Sequence, residues 1–277
     1  MKNLIWLASY PKSGNTWLRA FLSNLTYETN EPVNINKMTP KYRANDKMLI
    51  EKFTNLEPSE LTESELFNLR PMVYTELSKV SPNYPFIKIH DAYQQTAKGD
   101  FIIPSAHTHA VIYLVRNPID VVGSLAHHQN KSYDETIKFM ADDKATINQS
   151  SSYYHRLAPE VLLSWSNHLK SWINSGLNLL PIKYEDMHHK PLGTFTKIVE
   201  FLGFDYSESQ IKKAIAFSDF KVLKNQEQQT GFIDKNMNSP NFFRKGQVNS
   251  GRKELSQKQI DEVKRNHFTM MKQMGYL

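Results

Sequence analysis

The pattern of hydrophobic and polar positions at the start of the chain predicts a strand, a tight loop and a helix. Residues 4–8 form an apolar run, and residues 9–16 are mostly polar. Apolar side chains then return with helical spacing at Trp17, Leu18, Phe21, Leu22 and Leu25. A lysine within the turn and free N–H groups at a helix start favour binding of a phosphate or sulfate group. The alternative is an ordinary turn with a Ser or Thr cap.

Three later apolar runs predict further strands of the same sheet. They cover residues 86–91, 110–115 and 179–184, and the second is nearly all apolar, as in a buried parallel strand. A helix follows the second run, with Pro118 at its start. The candidate functional residues that follow the four strands are Lys12, His90, Arg116 and Tyr184. Because parallel sheets bind ligands at the carboxyl ends of their strands, we expect these residues at one edge.

The rest of the chain is mainly helical in pattern. Helices are expected at residues 133–140, 161–172, 191–202, 207–217 and 256–274. Core packing is the default interpretation of Trp165 and Trp172, which are seven residues apart. In the last helix, we expect four apolar residues to pack in the protein interior, namely Ile260, Val263, Phe268 and Met271.

Two segments look less regular. Residues 28–85 carry six prolines, among them Pro71, and are interpreted as an insertion of short helices near an acceptor pocket, with a role in packing alone as the alternative. Residues 224–242 are rich in Gln and Asn and are expected to form a mobile loop, so that residues 224–250 cover the cofactor.

Composition indicates a globular α/β protein. The 277 residues are 40% hydrophobic and 22% charged, which is typical of a globular protein and is enough for one large α/β domain or two small ones. With the strand pattern, we expect a single domain over residues 1–277 with three layers, a central mainly parallel sheet flanked by helices. The chain has no cysteine, which fits a cytoplasmic location. Its net charge of +6 suits an anionic cofactor, and without a long Lys/Arg run it does not indicate nucleic acid. We find no secretory signal and no apolar run of about eighteen residues, so no membrane insertion is expected.

The loop sequence resembles that of a known enzyme family. Residues 10–17 read YPKSGNTW, which is similar to the 5′-phosphosulfate loop, usually YPKSGTTW, of sulfotransferases that use 3′-phosphoadenosine 5′-phosphosulfate (PAPS). Only Asn15 departs from that form. The nucleotide-triphosphatase loop does not fit, because Lys12 precedes the only glycine of the loop. The resemblance implies a P-loop-like phosphosulfate site formed by Lys12, Ser13, Gly14, Asn15, Thr16 and Trp17.

Two further motifs match the family's 3′-phosphate site. Residues 116–124 read RNPIDVVGS and match the pattern R-N-P-x-D-V-x-x-S completely, which implies that Arg116 and Ser124 bind the 3′-phosphate. Arginine suits this task because its planar fork donates two parallel charge-assisted hydrogen bonds. Residues 242–246 match F-x-R-K-G, but the tryptophan that usually follows is missing. This motif implies a cofactor site with Phe243, Arg244, Lys245 and Gly246.

The remaining resemblances concern the base and the adenine. Residues 88–90 keep the K-x-H of the family's usual K-T-H-L-P, which implies that His90 is the general base. Asp91 and Ala92 replace Leu and Pro, which leaves the acceptor-facing turn in question. Tyr184 is expected against the cofactor, and Ser218 and Phe220 resemble the segment whose aromatic ring packs on the adenine, with Trp17 on the other face.

The resemblance implies sulfuryl transfer from PAPS to a hydroxyl or amine of a small-molecule acceptor, with adenosine 3′,5′-bisphosphate (PAP) as product and no metal. His90 would accept the acceptor's proton, Lys12 would neutralise the leaving phosphate, and Lys88 would stabilise the sulfuryl oxygens.

Two other functions stay open at this stage. One is a P-loop kinase that needs magnesium, and the other is a module that binds the nucleotide without catalysis. The sequence does not distinguish among phenol, sterol, sugar, lipid and peptide acceptors, and it leaves the oligomeric state open.

Overall fold

The computed structural model describes residues 2–40, 42–81, 83–149, 155–235 and 239–277. The strands are β1 Leu4–Ser9, β2 Tyr42–Arg43, β3 Phe86–Ile89, β4 Thr108–Val115, β5 Thr146–Ile147, β6 Glu160–Val161 and β7 Leu179–Lys183. The helices are α1 Asn15–Thr26, α2 Lys47–Thr54, α3 Glu63–Val80, α4 Pro118–Gln129, α5 Tyr133–Ala141, α6 Trp165–Ile173, α7 Tyr184–His189, α8 Pro191–Phe201, α9 Glu208–Phe217, α10 Phe220–Thr230, α11 Gly251–Glu254 and α12 Gln257–Gln273. Short 3₁₀ turns cover Ile35–Lys37 and Pro58–Glu60.

A five-stranded sheet of order β2-β3-β1-β4-β7 is central to the fold and confirms the expected mainly parallel α/β architecture. Strand β1 runs parallel to β3, with Ala8 opposite Ile89, and β2 runs parallel to β3 on its other side. All six residues of β1 are buried, as expected for a parallel strand covered on both faces. Strand β7 lies at the edge of the sheet, which is where Pro181, having no N–H to donate, is tolerated.

The described chain separates into two compact units. The first consists of Met1–Tyr10, Pro40–Tyr113 and Asp142–Pro181, and the second of Pro11–Thr39, Leu114–Ala141 and Ile182–Leu277. The first unit contains β1, β2, β3, most of β4, the β5–β6 ladder and helices α2, α3 and α6. The second contains α1, α4, α5 and helices α7 to α12. The single domain expected from the sequence stays a prediction.

The expectations for the 28–85 insertion were partly wrong. Pro71 does not end a helix but lies inside α3, which begins at a capping box between Thr62 and Glu65. The buried stripe of α3, which includes Leu66, Val73 and Leu77, offsets the backbone hydrogen bond that proline removes. The insertion also contributes β2, a strand too short to leave a periodic signal.

Three other expectations need correction. The helix expected at 161–172 begins only at Trp165, because residue Val161 pairs in β6 with Thr146 and Ser164 caps α6. Residues 224–230 are not a loop but part of α10, in which Leu223 and Glu227 are buried on one face. Residue Phe268 is 56% exposed rather than packed.

Candidate active site

The loop after β1 reaches α1 through two residues in left-handed backbone conformations. Lys12 has φ 66° and Gly14 has φ 103°. Gly14 is the N-cap of α1, so the cap is backbone and not the Ser or Thr side chain that one interpretation of the sequence expected. A Cβ atom at Gly14 would lie 2.7 Å from the ring of Tyr184, which explains the glycine. The start of α1 is left to accept an anion on its N–H groups.

Several polar atoms of this loop are buried without a hydrogen-bond partner among the described residues. They include the Oγ atom of Ser13, whose side chain is fully buried, and the indole Nε1 atom of Trp17. Thr16 is half-buried and Asn15 is buried beside them in the chain. A buried polar group without a partner is costly, so such atoms at a helix N-terminus fit a phosphate or sulfate group.

Arg116, directly after β4, connects three of the segments that the motifs singled out. Its Nη1 atom donates to the carbonyl of Lys12 at 3.1 Å, and its Nη2 atom donates to the carbonyl of Gln247 at 2.9 Å. The guanidinium carbon lies 4.2 Å from the ring centroid of Tyr184. Its buried Nε atom has no partner in the described part of the chain. Arg116 therefore holds the loop in place and keeps one donor for an anion.

The second cationic group comes from the segment after residue 239. Arg244 Nη1 donates to the carbonyl of Gly123 at 2.8 Å, next to Ser124. Arg244 Nη2 and Lys245 Nζ each lie 2.6 Å from a carboxylate oxygen of Glu254. Burial raises the pKa of Glu254, but the hydrogen bonds from Lys245 and Arg244 lower it on balance. Glu254 is thus the anion that both cations bind in this structure.

Aromatic residues close around these groups, though not all as expected. The ring of Trp17 meets the rings of Tyr184 and His188 at centroid distances of 5.9 and 4.7 Å. A Cβ atom at Gly246 would lie 2.2 Å from the ring of Phe220, so two of the predicted cofactor residues lie against each other. Ser218 is buried and donates its hydroxyl to the carbonyl of Ile215.

The fixed and variable phenylalanines of the F-x-R-K-G motif have different surroundings. Phe243 is buried in a cluster with Phe232 and Leu223. Phe242 instead lies under the ammonium group of Lys12, 3.9 Å from the ring centroid. Phe242, which sequence reasoning did not include among the site residues, is therefore the aromatic partner of the loop lysine.

His90 belongs to the first unit and directly follows β3. Its Nδ1 atom lies 2.8 Å from the carbonyl oxygen of Ser9. Because a carbonyl only accepts, Nδ1 carries the proton and the Nε2 lone pair is left as the basic site. Burial, followed by the charge of Lys88, lowers the pKa of His90 well below its ordinary value, against a raising effect of the Ser9 hydrogen bond. His90 is therefore neutral at pH 7.

Sequence reasoning missed the residues that hold the main chain of His90. Its N–H donates to Glu160 Oε1 at 2.9 Å, and its carbonyl accepts from His168 Nε2 at 2.9 Å. Burial lowers the pKa of His168 to about 4, so this second histidine is neutral too. Glu160 and His168 carry no local motif and lie 70 and 78 residues away. They can be identified only from the three-dimensional structure, which brings these distant segments next to His90.

The described residues contain neither a candidate metal site nor a candidate membrane-spanning helix. Within the described ranges, His, Cys, Asp and Glu residues form no group of three or more that could hold a metal ion. None of the helices in that part of the chain is long and apolar enough to cross a membrane.

Comparisons with known proteins agree on one family. A family model described as a sulfotransferase domain matches residues 2–275. Human sulfotransferase 6B1 is 24% identical over 268 residues, which cover 94% of this chain and 73% of the relative. Cytosolic sulfotransferase 14 of Arabidopsis thaliana is 26% identical over 269 residues, which cover 93% and 72%.

Solved structures share the fold. Retinol dehydratase in complex with androsterone and the inactive cofactor PAP matches with a TM-score of 0.64 and 19% identity, covering 98% of this chain and 81% of that one. Mouse sulfotransferase SULT7A1 complexed with PAP matches with a TM-score of 0.61 and 20% identity, covering 98% and 85%.

Proposed function

This chain belongs to the sulfotransferase family, and we propose that His90 is the general base of its reaction. The chain is a PAPS-dependent sulfotransferase, which moves a sulfuryl group from PAPS to an acceptor. The observation that carries the role of His90 is the 2.8 Å contact between Nδ1 and the Ser9 carbonyl. That contact fixes the tautomer whose Nε2 atom accepts a proton, and the lowered pKa keeps this atom unprotonated at pH 7.

The proposed chemistry assigns one task to each cationic or basic residue. PAPS, when bound, supplies the sulfuryl group. His90 accepts the acceptor's proton at Nε2, so that the acceptor oxygen or nitrogen gains its bond to sulfur as the bond from sulfur to the phosphate oxygen breaks. Lys12 stabilises the negative charge left on that phosphate, and Lys88 stabilises charge on the sulfuryl oxygens. Preorganised cations at developing charge are commonly the largest catalytic contribution.

The proposed cofactor residues all lie in the second unit. The start of α1 at Gly14, with the buried Oγ of Ser13, suits the 5′-phosphosulfate group. Arg116, Arg244 and their neighbours suit the 3′-phosphate. The full set proposed is Lys12, Ser13, Gly14, Asn15, Thr16, Trp17, Arg116, Ser124, Tyr184, Ser218, Phe220, Phe243, Arg244, Lys245 and Gly246.

The acceptor is proposed to be a small molecule with a hydroxyl or amine group. The solved relatives with androsterone and with retinol bind small molecules, which supports this class without selecting a member. The proposal includes no metal and no nucleic acid. A cytoplasmic location is proposed on the name of the Arabidopsis relative, a cytosolic sulfotransferase.

The test compares His90→Ala with the exposed control His189→Ala. Loss of a general base lowers turnover by about 10²–10⁴-fold. We expect that loss for His90→Ala alone, measured with labelled PAPS over a panel of acceptors, while calorimetry shows PAP affinity unchanged within about twofold. Wild-type turnover by His90→Ala would remove His90 from the mechanism. PAP binding by the native chain without transfer to any acceptor would instead favour a non-catalytic module.

A further inference from the structure

The main chain leaves the sheet at His90, and side chains replace the strand partner there. The ladder between β1 and β3 ends at the pair Ala8–Ile89. Beyond it, the N–H of His90 donates to Glu160, and the carbonyl of His90 accepts from His168. The next carbonyl, that of Asp91, accepts from Trp172 Nε1 at 3.0 Å. Three main-chain groups of His90 and Asp91 are therefore fixed by buried side chains.

The carboxylates of Asp91 and Glu160 join the segment around His90 to strand β6. Glu160 accepts the amide of His90, while Asp91 Oδ1 accepts the amide of Val161 at 3.0 Å. The amide of Ala92 donates to the carbonyl of Val161 at 2.8 Å. The exchange is reciprocal, because each segment contributes one carboxylate and one amide to the other. A change in either carboxylate is therefore expected to move the main chain of His90.

A buried arginine completes this arrangement. Arg70 of α3 binds both oxygens of Asp91, at 3.1 and 2.6 Å, and the two side chains are 2% and 0% exposed. Arg70 Nε also donates to the hydroxyl of Tyr74 at 2.7 Å. A buried ion pair adds little net stability over an apolar pair of the same size, since desolvation offsets the attraction. The ion pair lies beside the proposed base, which suggests that it fixes the position of the main chain there rather than adding stability.

The second carboxylate has a clear electrostatic cost. Burial, followed by repulsion from Asp91, raises the pKa of Glu160 to about 7, against the lowering effects of Lys88 and Arg70. Its other oxygen accepts from Asn148 Nδ2 at 3.0 Å. A glutamine or an apolar residue would avoid this cost. A costly group one hydrogen bond from a candidate base is typical of functional sites.

We propose that Glu160, with the Arg70–Asp91 ion pair, is a positioning residue that orients the His90 imidazole by fixing its main chain. With the amide of His90 fixed, the Nδ1–H group stays on the Ser9 carbonyl and the Nε2 lone pair keeps one direction. Glu160 touches no reacting atom in this role. The inference rests on the proposed function of His90 as the base.

The first test compares Glu160→Ala, Glu160→Gln and the control Asn148→Ala. Glu160→Ala leaves the His90 amide without its acceptor, and a base misplaced by about 1 Å loses about 10²-fold in rate. We expect kcat to fall between tenfold and a hundredfold, with KM and PAP affinity within about twofold. Glu160→Gln keeps an oxygen acceptor and should restore most of kcat. Asn148→Ala removes the other partner of Glu160 and should leave kcat within about twofold.

A second measurement reads the imidazole without using activity. Nitrogen-15 NMR of histidine-labelled protein, with His90→Ala for assignment, reports which ring nitrogen carries the proton. We expect the Nδ1–H form of His90 to dominate in the native chain and in Glu160→Gln, and the Nε2–H form to appear in Glu160→Ala. This readout keeps the inference testable even if His90 proves not to be the base.

The outcomes separate a positioning role from a structural one. An unchanged tautomer in Glu160→Ala would overturn the inference, whatever the rate. So would a rate loss from Glu160→Ala that persists in the His90→Ala background, because positioning acts only through His90. If Glu160→Ala does not fold, Glu160→Thr serves in its place, since threonine suits a strand but does not reach the His90 amide.

Discussion

The buried ion pair between Arg70 and Asp91 makes a quantitative prediction. Breaking such a pair by removing one partner costs about 3–5 kcal/mol, because the other charge stays buried without compensation. We expect this loss in the free energy of unfolding for Arg70→Met and also for Asp91→Leu. Both side chains are almost completely buried and joined by two hydrogen bonds, so water cannot solvate the remaining charge.

The double variant should recover most of the lost stability. With both charges replaced, the neutral amide of Val161 loses its acceptor, while the hydroxyl of Tyr74 loses the Arg70 donor but still donates to the carbonyl of Ala44. A buried group left without a partner costs about 1–3 kcal/mol. The double variant is therefore expected to lose less than either single variant, with a coupling energy of about 3 kcal/mol.

Urea unfolding, followed by tryptophan fluorescence and circular dichroism, measures the four free energies. A control cycle on Glu208 and Lys212, an exposed ion pair on one helix, should give a coupling of about 0.5 kcal/mol or less. Single-variant losses below about 1 kcal/mol, or losses that simply add in the double variant, would refute the reasoning. Such a result would mean that water reaches the pair.

Three further predictions concern the cofactor site and pH. Gly246→Ala should weaken PAP binding about tenfold or more, because its Cβ would lie 2.2 Å from Phe220. Gly176→Ala is the control, since Gly176 has a similar φ but no atom near the position of a Cβ, and it should leave PAP binding unchanged. Equal effects of the two variants in calorimetry would contradict this prediction. Arg116→Ala should weaken binding of PAP far more than binding of AMP, and equal losses would remove the 3′-phosphate role. The contribution of Glu160 to the free energy of unfolding should fall as pH rises from 4.5 to 7, because folded Glu160, with its pKa raised by burial to about 7, retains a proton that the unfolded chain releases, whereas His90 and His168, with lowered pKa values, act in the opposite direction. The difference in unfolding free energy between the native chain and Glu160→Gln, from urea titrations, should therefore fall over this range, and an identical pH dependence of the two proteins would disprove the shift.

The strand–loop–helix segments proposed to bind phosphate could be located from the sequence because their signals are local. The apolar run of β1, the glycine at the start of α1 and the arginine after β4 all lie within short stretches whose spacing fixes their structure. The four predicted core strands and the helix after β4 were confirmed for the same reason. By contrast, Pro71 within α3 and the helical residues 224–230 were mispredicted, since packing against distant residues overrides local preference.

The groups around His90 could not be read from the sequence, since each is contributed by a different element. Arg70 comes from α3, Glu160 from β6 and His168 from α6, and none carries a motif. The one signal was a departure: Asp91 and Ala92 stand where the resembling family usually has Leu and Pro. That departure predicts a change in the turn, but it does not by itself indicate a buried charge.

The structure gives this departure a physical reason. Ala92 donates its N–H to the carbonyl of Val161, and a proline at that position has no N–H to donate. Asp91 accepts the amide of Val161, which a leucine cannot do. The two substitutions therefore belong together, because both are needed to pair the residues after His90 with β6. In a Leu-Pro sequence, the proline ring restricts the backbone of this turn, whereas in this chain buried carboxylates restrict it. Replacing Asp91 and Ala92 with Leu and Pro should then release β6 from the main chain beyond His90, and should not make that main chain more rigid.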